Sequence, residues 1–156
     1  MRNRVARFHN IFGEYGKWRG GKEKAASAIC RKIAEVTDGG EIEIWGDGLQ
    51  TRSFLYIDEC VEGIMRLMDS DFSGPVNIGS DHLISINDLV LMVAGIADKT
   101  ITIKHIPGPQ GVRGRNSNND LIYEKLGWTP KQDLYLGITK TYQWIQEQVK
   151  LYGEQN

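Results

Sequence analysis

Glu41-Ile42-Glu43-Ile44-Trp45-Gly46-Asp47-Gly48-Leu49-Gln50-Thr51-Arg52-Ser53-Phe54-Leu55-Tyr56-Ile57-Asp58 sets the architecture. Its first five residues alternate polar and apolar, the two-residue period of a half-buried strand. Gly46-Asp47-Gly48 supplies glycines for a tight turn at positive φ, and Arg52 to Ile57 forms a second extended segment. Asp58 is a good N-cap for a helix over about 59–69, with Val61, Ile64, Met65 and Met68 on its inner side. Strand, turn, strand and helix in immediate succession indicate an α/β domain.

The same alternation continues in both directions. Toward the N-terminus, residues 4–8 read as a strand entering a Gly-rich polar loop from Asn10 to Lys24. A helix follows from Lys24 to Val36, with Ala26, Ile29, Cys30, Ile33 and Val36 at three- and four-residue steps. At about 100° per residue, Lys24, Ala28, Arg31 and Glu35 fall on its opposite, solvated face. Toward the C-terminus, Pro75 to Ile78 is a short strand. Ser85 and Asp88 resemble a capping box at the start of the next helix. Ile101 to Ile106 alternates as a strand and enters a Pro/Gly/Arg loop, Pro107 to Ser117. Asn118 caps a short helix ending at Gly127. Leu134, Ile138, Thr141, Tyr142, Ile145 and Val149 define a final amphipathic helix, and the tail from Gly153 to Asn156 reads as frayed. The expected fold is a small mixed sheet with flanking helices, residues 1–156 forming one unit.

The chain has 156 residues, 25% of them charged, and a net charge of −1. That balance argues against a whole-surface role on nucleic acid or an anionic membrane. No apolar run approaches the length of a membrane span. The basic N-terminus lacks the apolar stretch of a secretory signal. Cys30 and Cys60 lie far apart and form no CxxC pair, which points to a reducing, cytoplasmic setting without a disulfide framework. Both sit on apolar helix faces and read as small buried hydrophobes. His9, His82 and His105 show no metal-ligand spacing, so no metal is expected. Trp45, Trp128 and Trp144 read as core, whereas Trp18 sits in the polar loop.

Chemistry-bearing residues concentrate in three loops. Glu23 and Lys24 stand at a helix start, where unpaired backbone N–H groups attract anions, and Lys32 follows two turns later. Gln50, Thr51 and Arg52 offer amide, hydroxyl and guanidinium donors after the Gly46–Gly48 turn. Arg113 and Arg115 sit in the Gly-rich stretch Gly108 to Ser117. Taken singly, each pattern reads equally as a solvated helix turn, a hairpin with an exposed arginine, or a flexible surface loop. Taken together they suit an anionic ligand rich in hydroxyls. No Gly-x-Gly-x-x-Gly follows a strand, and no tyrosine has a lysine four residues on. The dinucleotide fingerprint is therefore absent from the sequence.

Three segments carry a resemblance. Arg7-Phe8-His9-Asn10-Ile11-Phe12-Gly13, Gly46-x-Gly48-x-x-x-Arg52-x-Phe54 with Asp58, and Lys125-Leu126-Gly127-Trp128-x-Pro130 are similar, in order and spacing, to segments of the extended short-chain dehydrogenases/reductases. Within that family, Gly20 to Ala25, Trp45 to Phe54 and Pro107 to Ser117 resemble the enzymes that epimerise GDP-mannose, a branch linked to ascorbate biosynthesis. Related nucleotide-sugar epimerases, dehydratases and decarboxylases, or a catalytically silent binding module, are the alternatives. The resemblance implies NAD, bound mainly by an N-terminal Rossmann half, a sugar-nucleotide substrate such as GDP-mannose, and a homodimer in the full-length enzyme. It implies that Lys24 is the catalytic acid, and that Asn10, Glu23, Lys24, Ala25, Lys32, Gln50, Thr51, Arg52 and Arg115 bind the sugar nucleotide. Val5-Ala6-Arg7-Phe8 opens a strand almost at once, so the reading expects a portion without the Rossmann half, inactive alone and exposing apolar surface. Glu14 and Gly39-Gly40 depart from the family pattern.

Overall fold

A computed structural model describes residues 3–109 and 111–153. The order is β1 (Val5–Phe8), β2 (Ile11–Phe12), α1 (Ala25–Glu35), β3 (Glu41–Trp45), β4 (Thr51–Ser53), β5 (Leu55–Tyr56), α2 (Ile57–Asp69), β6 (Pro75–Ile78), β7 (Leu83–Ser85), α3 (Ile86–Ile96), β8 (Thr102–Ile106), β9 (Gly114–Arg115), α4 (Asp120–Leu126) and α5 (Leu134–Gly153). The mixed α/β class stands. The sheet is divided into short ladders: β1 with β6, β2 with β5 and β3 with β8 are parallel pairs, and β4 lies between antiparallel β7 and parallel β9.

Two apolar clusters hold these pieces. In one, α1, α3 and α5 bury Ile33, Val90 and Ile138 against Ile42 and Ile44 of β3. Each such aliphatic side chain contributes about 1.5–3 kcal/mol on removal from water. In the other, Val76 and Ile78 of β6 meet Cys60 and Leu67 of α2, Ile122 of α4 and Trp128. Lys99 links α1 to the segment after α3: its ammonium donates to the carbonyls of Ile33, Ala34 and Val36 at 2.7, 3.3 and 2.7 Å, filling the acceptors that a helix end leaves open.

Several expectations need correction. β3 and β4 do not form a hairpin, because each pairs elsewhere. Helix α2 begins at Ile57, with Tyr56 at the cap position and no side-chain cap, so Asp58 lies in the first turn rather than before it. Val61, Met65 and Met68 are 49%, 52% and 61% exposed, while Cys60, Gly63 and Leu67 are buried. The inward face of α2 is thus rotated from the expected one, leaving an apolar stripe on the surface. Trp45 is 54% exposed because it shares the outward phase of β3 with Glu41 and Glu43. Trp128 is buried, and Trp144 is half-buried against the first cluster. Asn119, not Asn118, occupies the cap position of α4, although Asn118 Oδ1 still accepts from the Asp120 N–H at 3.0 Å. Of the expected Ser85–Asp88 capping box the serine half is present: the Ser85 hydroxyl accepts from Asp88 N–H at 3.0 Å and donates to the Asp88 carboxylate at 2.6 Å. Glu14 accepts the Tyr56 hydroxyl at 2.7 Å, which ties the loop after β2 to β5. Of the tail read as frayed, Gly153 closes α5 and residues 154–156 lie outside the described range.

Candidate functional site

The first wall of the site is the loop leading into α1. Gly20 and Gly21 adopt φ of +94° and +78°, a backbone region in which side chains with a Cβ are strained. Aromatic contacts hold the loop to α5. Tyr15 packs on Trp144 at 5.4 Å between ring centroids, and the Arg19 guanidinium lies 3.6 Å from the Tyr152 ring centroid. This delivers Glu23 to an enclosed position, its side chain 6% exposed and paired with Arg31 at 3.1 Å. Arg31 is also held by Glu35 at 2.7 Å. Burial pushes the Glu23 carboxyl up, but its own backbone N–H, the Arg31 hydrogen bond and the Arg31 charge outweigh it and hold the group below its ordinary value.

The second wall is the segment from β3 into β4. Gln50 is 7% exposed, and its amide nitrogen donates to the Trp45 carbonyl at 3.3 Å. Gly48, at φ +69°, lies so close to Asn87 that a Cβ there would stand 1.8 Å from the Asn87 amide oxygen. That approach locks the turn to the start of α3. Lys32 reaches across from α1 and donates to the Glu43 carbonyl at 2.5 Å.

The third element is the Gly/Arg loop. Gly108 packs against the Trp45 indole, where a Cβ would meet Cγ at 2.6 Å. Arg113 pairs with Asp47 at 2.8 Å, and the Asp47 carboxyl is held below its ordinary value, chiefly by the Arg113 hydrogen bond. The Arg113 carbonyl accepts from Thr51 N–H at 2.9 Å, and β9 then runs beside β4 with Arg115 opposite Arg52. Gln110 lies outside the described residues.

These walls enclose a cleft of about 450 Å³. Of the residues singled out from the sequence, Glu23, Ala25, Lys32 and Gln50 line it. Arg52 and Arg115 are register partners in the β4–β9 ladder that starts just after Gln50, and neither lines the cleft. Thr51 carries the backbone contact to the Gly/Arg loop. Asn10, at φ +45°, has its amide nitrogen on the Ser53 carbonyl at 2.8 Å. Lys24 sits between two wall residues but is itself exposed at the cap position of α1.

Sequence reasoning missed Arg31, which it placed on a solvated face. The available signal was its spacing from two carboxylates, Glu23 and Glu35. It also missed Asp47, whose opposite charge to Arg113 lies in a different loop. Among the described residues, the buried side-chain polar atoms without a hydrogen-bond partner are Glu23 Oε2, Arg31 Nε, Gln50 Oε1 and Ser53 Oγ. Such atoms are uncommon and ask for a reason. Glu23, Arg31 and Gln50 all belong to the cleft wall.

Cys30 is fully buried, and burial pushes its thiol up to about 12; burial also raises Cys60. Both therefore behave as inert core residues. No helix of the described residues is long and apolar enough to cross a membrane.

Comparison with known proteins follows the same lines. The family model described as "NAD dependent epimerase/dehydratase family" matches residues 1–79. GDP-mannose 3,5-epimerase from Arabidopsis thaliana is 58% identical over 147 residues, 94% of this chain and 38% of that protein. UDP-glucuronic acid decarboxylase 5 from the same organism is 32% identical over 86% of this chain and, again, 38% of its own length. Among solved structures, UDP-glucose 4-epimerase from Thermotoga maritima, with UDP-glucose, superimposes with a TM-score of 0.80 at 26% identity, covering 93% of this chain and 46% of the other. The chain thus spans 38% of these two relatives and 46% of that structure.

Proposed function

Because the chain belongs to the NAD dependent epimerase/dehydratase family, we propose that residues 1–156 are the sugar-nucleotide-binding portion of a GDP-mannose 3,5-epimerase, inactive without an N-terminal Rossmann half. The carrying observation is the 58% identity over 94% of the chain to an enzyme of that name. The cleft adds physical support, since it brings Glu23, Ala25, Lys32 and Gln50 together beside a pair of arginines. The 32% identity to a UDP-glucuronic acid decarboxylase favours, as a second reading, a related enzyme acting on a different sugar nucleotide.

In this proposal Arg52 and Arg115 hold the diphosphate, for which planar guanidinium groups offer paired donors. Gln50, Thr51 and Lys32 orient the nucleoside side, and Glu23 and the Ala25 backbone position the substrate at the start of α1. Asn10 fixes the neighbouring chain through Ser53. A base outside this chain removes the C3 and C5 protons from one face of the ring, next to a transient C4 ketone, and Lys24 returns protons to the opposite face, giving GDP-L-galactose. NAD is the family's cofactor, and nicotinamide supplies the oxidation and reduction at C4. This chain's residues do not fit it: the Gly-rich connection from β2 to α1 is a long loop rather than a tight turn, and no Gly-x-Gly-x-x-Gly opens a helix. The chain's own residues therefore bind, orient and protonate. The apolar stripe of Val61, Met65 and Met68 supports a partner surface, assigned here to the Rossmann half. A cytoplasmic homodimer serving ascorbate biosynthesis completes the proposal.

The test is calorimetric titration of GDP-mannose into the purified chain, with and without NAD, followed by product analysis. Binding without turnover is the expected result. Absence of binding removes the proposal, and turnover by the chain alone removes the assignment of the redox machinery to another segment.

A further inference from the structure

Resting on the sugar-nucleotide reading of the same cleft, we propose that the Glu23–Arg31 pair, with Gln50, reads the nucleobase and selects guanine over uracil. Relatives of both kinds match this chain, one named for a GDP-sugar and one for a UDP-sugar, so the cleft they share is a place where the two bases can be told apart.

Ile29, Ile44 and Ile86 give the cleft apolar lining, against which the face of a ring can pack. Three wall residues carry buried polar atoms without partners: a donor, Arg31 Nε–H, and two acceptors, Glu23 Oε2 and Gln50 Oε1. The other atoms of these groups are engaged. Glu23 Oε1 accepts from Arg31, the far nitrogen of Arg31 is on Glu35, and the Gln50 amide nitrogen is on the Trp45 carbonyl, which assigns its oxygen. The terminal torsions of carboxylate and amide are soft, so modest rotation presents the two open oxygens to a ligand.

The pattern of one donor and two acceptors has a definite complement. Guanine's hydrogen-bonding edge carries one acceptor, O6, followed by two donors, N1–H and the 2-amino group. Uracil's edge carries a single donor, N3–H, between two carbonyl oxygens, so a carboxylate and an amide oxygen meet at least one acceptor and are left unpaired. A buried acceptor without its donor is costly, which is how such sites discriminate. A phosphate in this position is disfavoured by the Glu23 carboxylate, and Arg52 and Arg115 offer it a cationic place nearby. Arg31 has two parts here: its Nε–H faces guanine O6, and its hydrogen bond to Glu23 Oε1 leaves Oε2 for the base.

The experiment is titration of GDP, inosine diphosphate and UDP into the wild-type chain and into Glu23→Gln, with melting curves to check that the variant folds. Wild type is expected to bind GDP about tenfold or more tighter than UDP, the scale of one unpaired buried group. It should also prefer GDP over inosine diphosphate, which lacks only the 2-amino donor. Glu23→Gln should lose most of the GDP preference over UDP. Equal binding of GDP and UDP by wild type, or a preference unchanged in Glu23→Gln, overturns the base assignment and leaves diphosphate binding intact. Equal binding of GDP and inosine diphosphate overturns the two-donor contact without needing any variant. Failure of all three nucleotides to bind overturns the underlying reading as well.

Discussion

Arg52 in β4 and Arg115 in β9 are register partners in adjacent parallel strands, so their side chains leave the ladder on the same face. Two guanidinium groups placed this way can offer paired donors to one anion. Inorganic pyrophosphate should therefore raise the melting temperature of the chain, and the effect should shrink as sodium chloride is added. Arg115→Ala should weaken GDP binding by about tenfold or more, the scale of a charge-assisted contact, with little change in stability because Arg115 is exposed. Calorimetry at two salt concentrations checks both statements. A salt-independent affinity would contradict the clamp.

Glu23 gives a pH signature. Its carboxyl lies below its ordinary value in the fold: burial raises it, but backbone hydrogen bonds and Arg31 outweigh that. A group with a depressed native pKa stabilises the fold fully above its unfolded value, near 4.3 for glutamate, and loses that contribution as pH falls through the native value. Wild type should thus melt above Glu23→Gln near neutral pH. The gap should close as pH drops below about 4. Paired melting curves across that range test the sign, and a gap that widens in acid would refute it.

The path from sequence to site was open where one element carried its own pattern. The Ser85 cap on Asp88, the 3.6-residue period of α1 and α5 and the alternation of β3 all rest on local physics, and all appear in the fold. Reading failed where a partner distant in the chain decides the outcome. Asp58 looked like a cap, yet Ile57 already begins the helix because Leu55 and Tyr56 end in a ladder with β2. Arg31 looked solvated by its helical angle, but the loop before α1 folds back and brings Glu23 onto it. Trp45 looked like core by size, although its own alternation with Ile42 and Ile44 placed it outward. The short strands β7 and β9 have no pattern of their own and exist only because β4 lies between them.

Lys99 offers a stability test away from the cleft. Its ammonium caps the end of α1 through three carbonyls. Lys99→Met keeps most of the aliphatic stem and removes the donors. The expected cost is about 1–2 kcal/mol, the range for hydrogen bonds to a charged group less what solvent recovers at a half-buried site. Urea unfolding measures it. An unchanged midpoint would mean that water serves those carbonyls equally well.

Gly63 and Gly95 separate packing from helix propensity. Both are helical, and alanine is favoured over glycine in a helix interior by about 1 kcal/mol. At Gly63 in α2 an added Cβ would lie 2.9 Å from the Trp128 ring and 3.3 Å from Ile78. Trp128 is 3% exposed and Ile78 fully buried, so neither has room to retreat. Overpacking of this kind costs about 1–3 kcal/mol, and Gly63→Ala is expected to lower the melting temperature by a few degrees. At Gly95 in α3 nothing lies within 4 Å of the added Cβ, so propensity acts alone and Gly95→Ala should raise the melting temperature slightly. If both substitutions shift stability in the same direction, the contact between α2 and Trp128 is not the constraint that keeps residue 63 a glycine.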